Sequence, residues 1–376
     1  MALPTYHLVE DSDSWAACLD SLKSQPRIAV DLEANSLFAY REQICLIQIS
    51  IPNKDFIIDP LAHFKFDDFA DILLNPSIEK IFHAAEYDLI LLKRQFEWEL
   101  ANLFDTMWAA RILGLPRCGL ANLLFDFYGI KHNKKHQKAD WCRRPLTRDQ
   151  LSYAQIDTHY LFQLRDDLSG RLKDKGIRQE AGEIFAEQSR VTLPANTFDS
   201  ESFWKINGAN DLSDGGRSIA KALNIFRDQQ AKKLNRPAFK VFQDRTIYEL
   251  SQAVPKSINE LNGIHGMSGG QVRRYGDSIL SVVARAQNDP LPMRRKPAAP
   301  RPPEAVSNRY EQLHKWRKQR AKARGVESDV IVSRDALWTL ARKNPRSPEE
   351  LGKLNILGSW RFQAYSDEII SILDEC

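Results

Sequence analysis

The chain has 376 residues, 43% of them hydrophobic and 27% charged, and at roughly 150 residues per domain it should hold two or three domains. Its net charge of +4 hides an asymmetry: residues 1–200 carry 23 Lys/Arg against 29 Asp/Glu, and residues 201–376 carry 30 against 20, so an acidic half suited to metal cations precedes a basic half suited to a polyanion such as nucleic acid. No apolar run reaches the roughly 18 to 20 residues of a membrane span, the start MALPTYHLVEDSDSW lacks a signal region, and five scattered cysteines form no CxxC pair; a cytosolic protein with neither a disulfide framework nor a structural zinc site is expected.

The first 165 residues alternate strands and helices. YHLVE (6–10) is a short strand, and DSDSWAACLDSLKS offers caps ahead of an amphipathic helix. RIAVDLEA, ICLIQIS and DFIID follow as three β-rich runs, joined too closely for helical crossovers, and should pair antiparallel. A helix near 67–74, the strand IEKIFHA, the helices AEYDLILLKRQF and DTMWAARILG, the segment LANLLFDFYG and one long helix from Arg148 to about Leu172 complete a mixed α/β sheet covered by helices. Thr147 and Gln150 fit a capping box at the start of that last helix.

The second half repeats itself. A shift of 90 residues aligns FRDQQAKKLNRPAFKVFQDRTIYELSQAVPKSINELNGIHGMSGGQVRRYGDSIL with WRKQRAKARGVESDVIVSRDALWTLARKNPRSPEELGKLNILGSWRFQAYSDEII without a gap, with identities that include Arg227/Arg317, Ala231/Ala321, Leu250/Leu340, Pro255/Pro345, Ser257/Ser347 and Tyr275/Tyr365. Each copy reads as a small bundle of four or five helices. The expected boundaries are 1–195 for the α/β domain, 205–288 for the first bundle, 289–306 for a proline-rich basic linker and 307–376 for the second bundle.

Chemistry concentrates at three places. Asp31 and Glu33 stand two apart at the end of an apolar strand and face the same side, where like charges repel unless a cation lies between them. Asp88 falls in the first turns of a helix. Tyr153 and Asp157 lie one helical turn apart, over a common patch of surface. Alone, each has an ordinary structural explanation: a solvated strand face, a helix-dipole partner, a packed tyrosine.

Together the blocks VDLEAN, HAAEYDLILL and YAQIDTHYLF resemble the three exonuclease motifs of the DEDD superfamily, and the repeated bundles resemble HRDC domains. The resemblance covers nearly the whole chain. It implies a ribonuclease H-like exonuclease domain, a mixed sheet flanked by helices, followed by two small all-α HRDC bundles. It also implies Asp31, Glu33, Asp88 and Asp157 as ligands of two divalent cations, Mg²⁺ or Mn²⁺, which activate water and stabilise the leaving 3′ oxygen. Position 152 is Ser, not His, so the third motif falls in the tyrosine class, in which Tyr153 positions the attacking water and can help deprotonate it. The implied activity is 3′–5′ hydrolysis of RNA to 5′-monophosphates, with tRNA precursors carrying 3′ extensions and other small structured RNAs as partners; no obligatory protein partner is indicated. A DNA exonuclease and a non-catalytic RNA-binding scaffold are the alternatives.

Weaker candidates surround these. Gln137, Trp141 and Arg144, in the basic stretch KKHQKADWCRRPL, could contact phosphate or stack on a base, and His83 is either packing or a substrate contact. His132, His136 and His159 show no ligand spacing. In the bundles Arg273, Arg274, Lys315, Arg317, Lys318 and Arg320 are candidate nucleic-acid contacts.

Overall fold

The β-rich runs assemble into one six-stranded sheet in this computed structural model, which describes residues 3–195, 197–287, 289–290, 292 and 301–376. In chain order the first part comprises β1 (His7–Val9), α1 (Ser12–Lys23), β2 (Arg27–Ala34), β3 (Ile44–Ile51), β4 (Lys54–Ile58), α2 (Phe69–Leu74), β5 (Glu79–Phe82), α3 (Glu86–Phe96), β6 (Leu103–Asp105), α4 (Thr106–Ile112) and α5 (Leu120–Tyr128). It continues through α6 (Arg148–His159), α7 (Leu161–Asp174) and α8 (Arg178–Gln188). The sheet order is β1-β4-β3-β2-β5-β6. β2, β3 and β4 form the expected antiparallel meander, while β1, β5 and β6 join in parallel. β2 is thereby central, and its apolar residues Ile28, Ala29 and Val30 are fully buried.

Three elements depart from the expected pattern. The single long helix expected from Arg148 breaks at Tyr160, which closes α6 and opens α7. His159 there turns its Nδ1 to Asp55 at 2.8 Å, and the Tyr160 ring meets the His159 ring edge-on. The three-residue strand β6 and the helix α8 have no counterpart among the expected elements. The expectation of no disulfide is also corrected: Cys45 on β3 and Cys142, 97 residues later, form one, with Cα atoms 5.1 Å apart. Only the fold brings these two together.

The repeat appears as two five-helix bundles. The first contains α9 (Asp214–Lys233), α10 (Ala238–Val241), α11 (Asp244–Ala253), α12 (Ile258–Leu261) and α13 (Gly269–Ala286). The second contains α14 (Glu304–Arg324), α15 (Ser328–Ile331), α16 (Arg334–Lys343), α17 (Pro348–Lys353) and α18 (Ser359–Asp374). The shared residues are those that build the bundle: Leu250/Leu340 and Ile279/Ile369 are fully buried, and Ser257/Ser347 cap α12 and α17. Each bundle has its own apolar core. Half of the linker placed at 289–306 lies outside the described residues.

The described residues divide into two compact units, one drawn from 1–34, 44–193 and 299–376, the other from 35–43 and 194–298. In the first unit α8 carries the second bundle. Glu180, fully buried, accepts two bonds from Arg324, at 2.6 and 2.8 Å. The guanidinium of Arg361, a residue 1% exposed, donates twice to Glu187 and once to Glu183. Glu183 also accepts the Trp360 amide at 2.5 Å, capping α18, whose N-cap residue Gly358 supplies no side chain of its own. A Cβ at Gly358 would fall 2.1 Å from the Glu183 carboxyl carbon, so the close approach needs glycine. Val330 of α15 is buried in the core of the α/β domain itself.

Candidate active site

β2 ends in Asp31 and Glu33, with Leu32 turned to the opposite core. Opposite Asp31 in the β2–β3 register stands Gln48, fully buried. Cross-strand partners share a face, so Gln48 points to the same side as Asp31, and its amide nitrogen and oxygen have no hydrogen-bond partner among the described residues. That face is covered by α6.

A polar network sets how α6 lies on the sheet. Asp55 on β4, 2% exposed, accepts from Ser50 Oγ at 2.6 Å, Gln155 Nε2 at 2.6 Å and His159 Nδ1 at 2.8 Å. Ser50 Oγ also lies 2.7 Å from Thr158 Oγ1. These bonds hold the Asp55 carboxyl below its usual range against its burial. They fix positions 155, 158 and 159 of the helix against β3 and β4. With that face committed, Tyr153 and Asp157 are left for the end of β2. At the start of α6 the Thr147 and Gln150 capping box forms as expected.

Asp31, Glu33 and Asp157 each offer a carboxylate oxygen, all within 4.8 Å of one another. Asp88, in the first turn of α3 and 6% exposed, is the fourth member electrostatically: its charge acts on Asp31 and Glu33, and that of Asp157 acts on it. Asp105, the N-cap of α4, holds the chain entering α3 by accepting from the Ala84 and Ala85 amides at 3.1 and 2.8 Å. Burial first, and then neighbouring carboxylates, push Asp31, Glu33 and Asp88 well above the ordinary carboxyl range. Asp157 is raised by burial, against the opposing effect of a hydrogen bond with His132. Like charges held together out of water are tolerable only protonated or with a cation between them. An all-oxygen donor set suits a hard divalent ion such as Mg²⁺ or Mn²⁺, so these residues fit the metal that the motifs imply.

Tyr153 is half-buried, and burial followed by the charges of Asp157, Glu33 and Asp31 drives its phenol above its ordinary pKa. At neutral pH it is a hydrogen-bond donor, not a phenolate. Its ring sits among aromatics: His132 stacked at 4.7 Å, His136 edge-on at 5.9 Å and Trp141 at 6.0 Å.

Comparison with known proteins bears on the family and the fold. Residues 6–173 match the model of a 3′–5′ exonuclease domain, and residues 217–283 and 307–373 each match the HRDC domain. The chain is 27% identical to ribonuclease D of Pseudomonas paraeruginosa over 99% of its own length and 98% of that protein. Among solved structures it shares the fold of Escherichia coli RNase D (TM-score 0.65, 22% identity, 99% of both chains). The catalytic core of RRP6 from Trypanosoma brucei gives a TM-score of 0.66 at 28% identity, over 76% of this chain and 81% of that one.

The chain carries a DEDD 3′–5′ exonuclease domain followed by two HRDC domains.

The likeness to ribonuclease D extends over both HRDC domains as well as the exonuclease domain. Several weaker site candidates prove to be scaffold. Trp141 is 1% exposed and packs in a small core with Leu46, Ile57 and Leu151, so it cannot stack on a base. Arg144 donates to Asp59, at 2.5 and 2.8 Å, and to the carbonyls of Trp141, Arg143 and Cys45, which engages every guanidinium donor within the chain. His83 pairs through Nδ1 with Thr106 at 2.9 Å, and burial lowers its pKa to about 4. Arg317 is buried and donates to the Val332 carbonyl, as Arg227 does to Phe242 in the first copy. Arg320 is paired with Glu368. Gln137, Arg273 and Arg274 stay exposed.

Sequence reasoning passes over His132, Gln48 and the Asp55 network. An acid at the start of the apolar run DFIID, in a strand flanked by other buried strands, is a readable signal for the last of these. His132, 25 residues before Asp157, carries no such signal.

Proposed function

We propose that the protein is a metal-dependent 3′–5′ exoribonuclease that releases 5′-monophosphates one at a time, acting on tRNA precursors with 3′ extensions and on other small structured RNAs. The observation that carries the reading is the convergence of Asp31, Glu33 and Asp157, electrostatically joined by Asp88, with Tyr153 one helical turn before Asp157. In this reading the four carboxylates hold two divalent cations, Mg²⁺ or Mn²⁺, which when bound supply an activated water and stabilise charge on the leaving oxygen. Tyr153 orients that water. Full-length likeness to ribonuclease D supports RNA as the substrate.

The two HRDC copies divide the remaining work. The corner between α14 and α15 of the second copy binds the exonuclease domain: Arg324 pairs with Glu180, Glu327 and Asp329 with Arg111, and Val330 enters the apolar core. Ninety residues earlier the first copy carries Leu234, Pro237, Phe239 and Lys240, with Lys232, Lys233 and Arg236 beside them. Phe239 is 50% and Leu234 38% exposed, and the three cations are exposed too. Basic side chains interleaved with an exposed ring suit a nucleic-acid backbone and its bases, so this corner, with Arg273 and Arg274, is assigned to RNA binding.

The deciding experiment supplies RNA and DNA of one sequence with Mg²⁺, with Mn²⁺ or with chelator, and resolves products to one nucleotide. Metal-dependent shortening of RNA from the 3′ end, lost in Asp31→Asn, is expected. Clear preference for DNA would overturn the substrate assignment, and equal degradation by wild type and Asp31→Asn would overturn the site.

A further inference from the structure

We propose that His132 is a positioning residue of this site, holding the Asp157 carboxylate and the Tyr153 ring in one fixed arrangement through a hydrogen bond and a stack. The inference rests on the metal-dependent nuclease reading above. His132 belongs to the irregular stretch between α5 and the turn at Lys134–His136. Its Nε2 lies 2.8 Å from Asp157 Oδ1, and its ring stacks on Tyr153 with centroids 4.7 Å apart and planes 24° apart. The side chain is only 4% exposed.

Other histidines of this region have scaffold roles: His159 is tied to Asp55 and His83 to Thr106. His132 differs, because its Nδ1 has no hydrogen-bond partner among the described residues. Its directional polar bond is therefore the one to Asp157. With the hydrogen on Nε2, the ring donates to Oδ1 and leaves Oδ2 available to a cation. The same ring fixes the plane of Tyr153, so one side chain couples a metal-binding oxygen to the hydroxyl that orients water.

The test uses the full chain with His132→Ala, His132→Phe and His132→Gln. Phe keeps the stack and loses the hydrogen bond, whereas Gln restores a donor without the ring. Two quantities are measured: Mn²⁺ affinity by calorimetry in the absence of RNA, and kcat and KM on a short single-stranded RNA. Removing a partner of this kind typically lowers affinity or turnover about 10- to 100-fold. Ala and Phe are expected to lose that much in Mn²⁺ affinity and in kcat, with KM changed less than about twofold, and Gln to recover much of the Mn²⁺ affinity.

Wild-type Mn²⁺ affinity and kcat in His132→Phe would overturn the proposal, as would a loss confined to KM, which would make His132 an RNA contact. If His132→Ala does not fold, the Phe variant, which keeps the packing, decides alone. Failure of the underlying reading looks different: wild type itself would bind no Mn²⁺, and Asp31→Asn would be as active as wild type.

Discussion

The molecule buries two clusters of charge, and they are built on opposite rules. At the contact between α8 and the second HRDC copy, Glu180, Glu183 and Glu187 face Arg324 and Arg361, with each carboxylate met by a guanidinium in hydrogen-bonding geometry. At the end of β2, Asp31, Glu33, Asp88 and Asp157 face one another, and the neighbours that shift Asp31, Glu33 and Asp88 are other carboxylates. The first cluster is complete within the chain and holds two domains together. The second is relieved only by protons or by a cation, and a cluster of that kind is a candidate functional site.

Removing a charge should therefore have opposite consequences in the two places. The largest effect expected is on catalysis: Asp31→Asn should lower turnover by at least about 100-fold, read as kcat on single-stranded RNA with Mg²⁺ present. Next, Glu180→Ala leaves the Arg324 guanidinium without its buried partner. Breaking such a pair costs about 3–5 kcal/mol when both members are buried; because Arg324 is partly exposed, about 2–3 kcal/mol is expected here, read from denaturant unfolding. If Glu180→Ala melts like wild type, the interface is not held by charge.

The third consequence reverses the sign. A carboxyl whose folded pKa is raised opposes folding at every pH above its unfolded value of about 4, increasingly so up to the folded pKa. Without divalent metal, Asp31→Asn should melt higher than wild type at pH 7.5. The advantage should shrink as pH falls, because wild-type carboxyls take up protons in the folded state, and it should vanish near pH 4. Added Mn²⁺ should raise the wild-type melting temperature and leave that of Asp31→Asn nearly unchanged. An apo Asp31→Asn protein less stable than wild type would remove the contrast between the clusters.

What the sequence discloses follows the same division. Asp31 and Glu33 are readable because a strand's period of two places both on one face, and Tyr153 and Asp157 because a helix turn stacks them. The repeat is readable because residues such as Leu250/Leu340 and Ser257/Ser347 perform local jobs, packing and capping, that depend on position within the bundle. Contacts between distant segments have no such period. Nothing in KKHQKADWCRRPL distinguishes an arginine aimed at RNA from Arg144 locked onto Asp59, 85 residues away. The same holds for His132 against Asp157 and for Cys45 against Cys142.

The smallest effect expected tests whether the two HRDC copies have diverged as their surfaces indicate. Replacing Lys232, Lys233 and Arg236 together by alanine should weaken binding of a structured RNA about tenfold at low salt. It should also flatten the dependence of log affinity on log salt by about 0.7 for each single-strand phosphate that is no longer neutralised, since neutralising a phosphate releases condensed counterions. Phe239→Ala should weaken binding by about 1–3 kcal/mol if the ring stacks on a base, with the salt slope unchanged. Lys322, which occupies the position of Lys232 in the second copy, is the control, and Lys322→Ala should alter neither affinity nor slope. Equal weakening in the two copies would mean that the docked corner and the exposed one serve RNA alike. Divergence would then lie only in the contact built on the buried Arg324–Glu180 pair, whose arginine is replaced by Leu234 in the first copy.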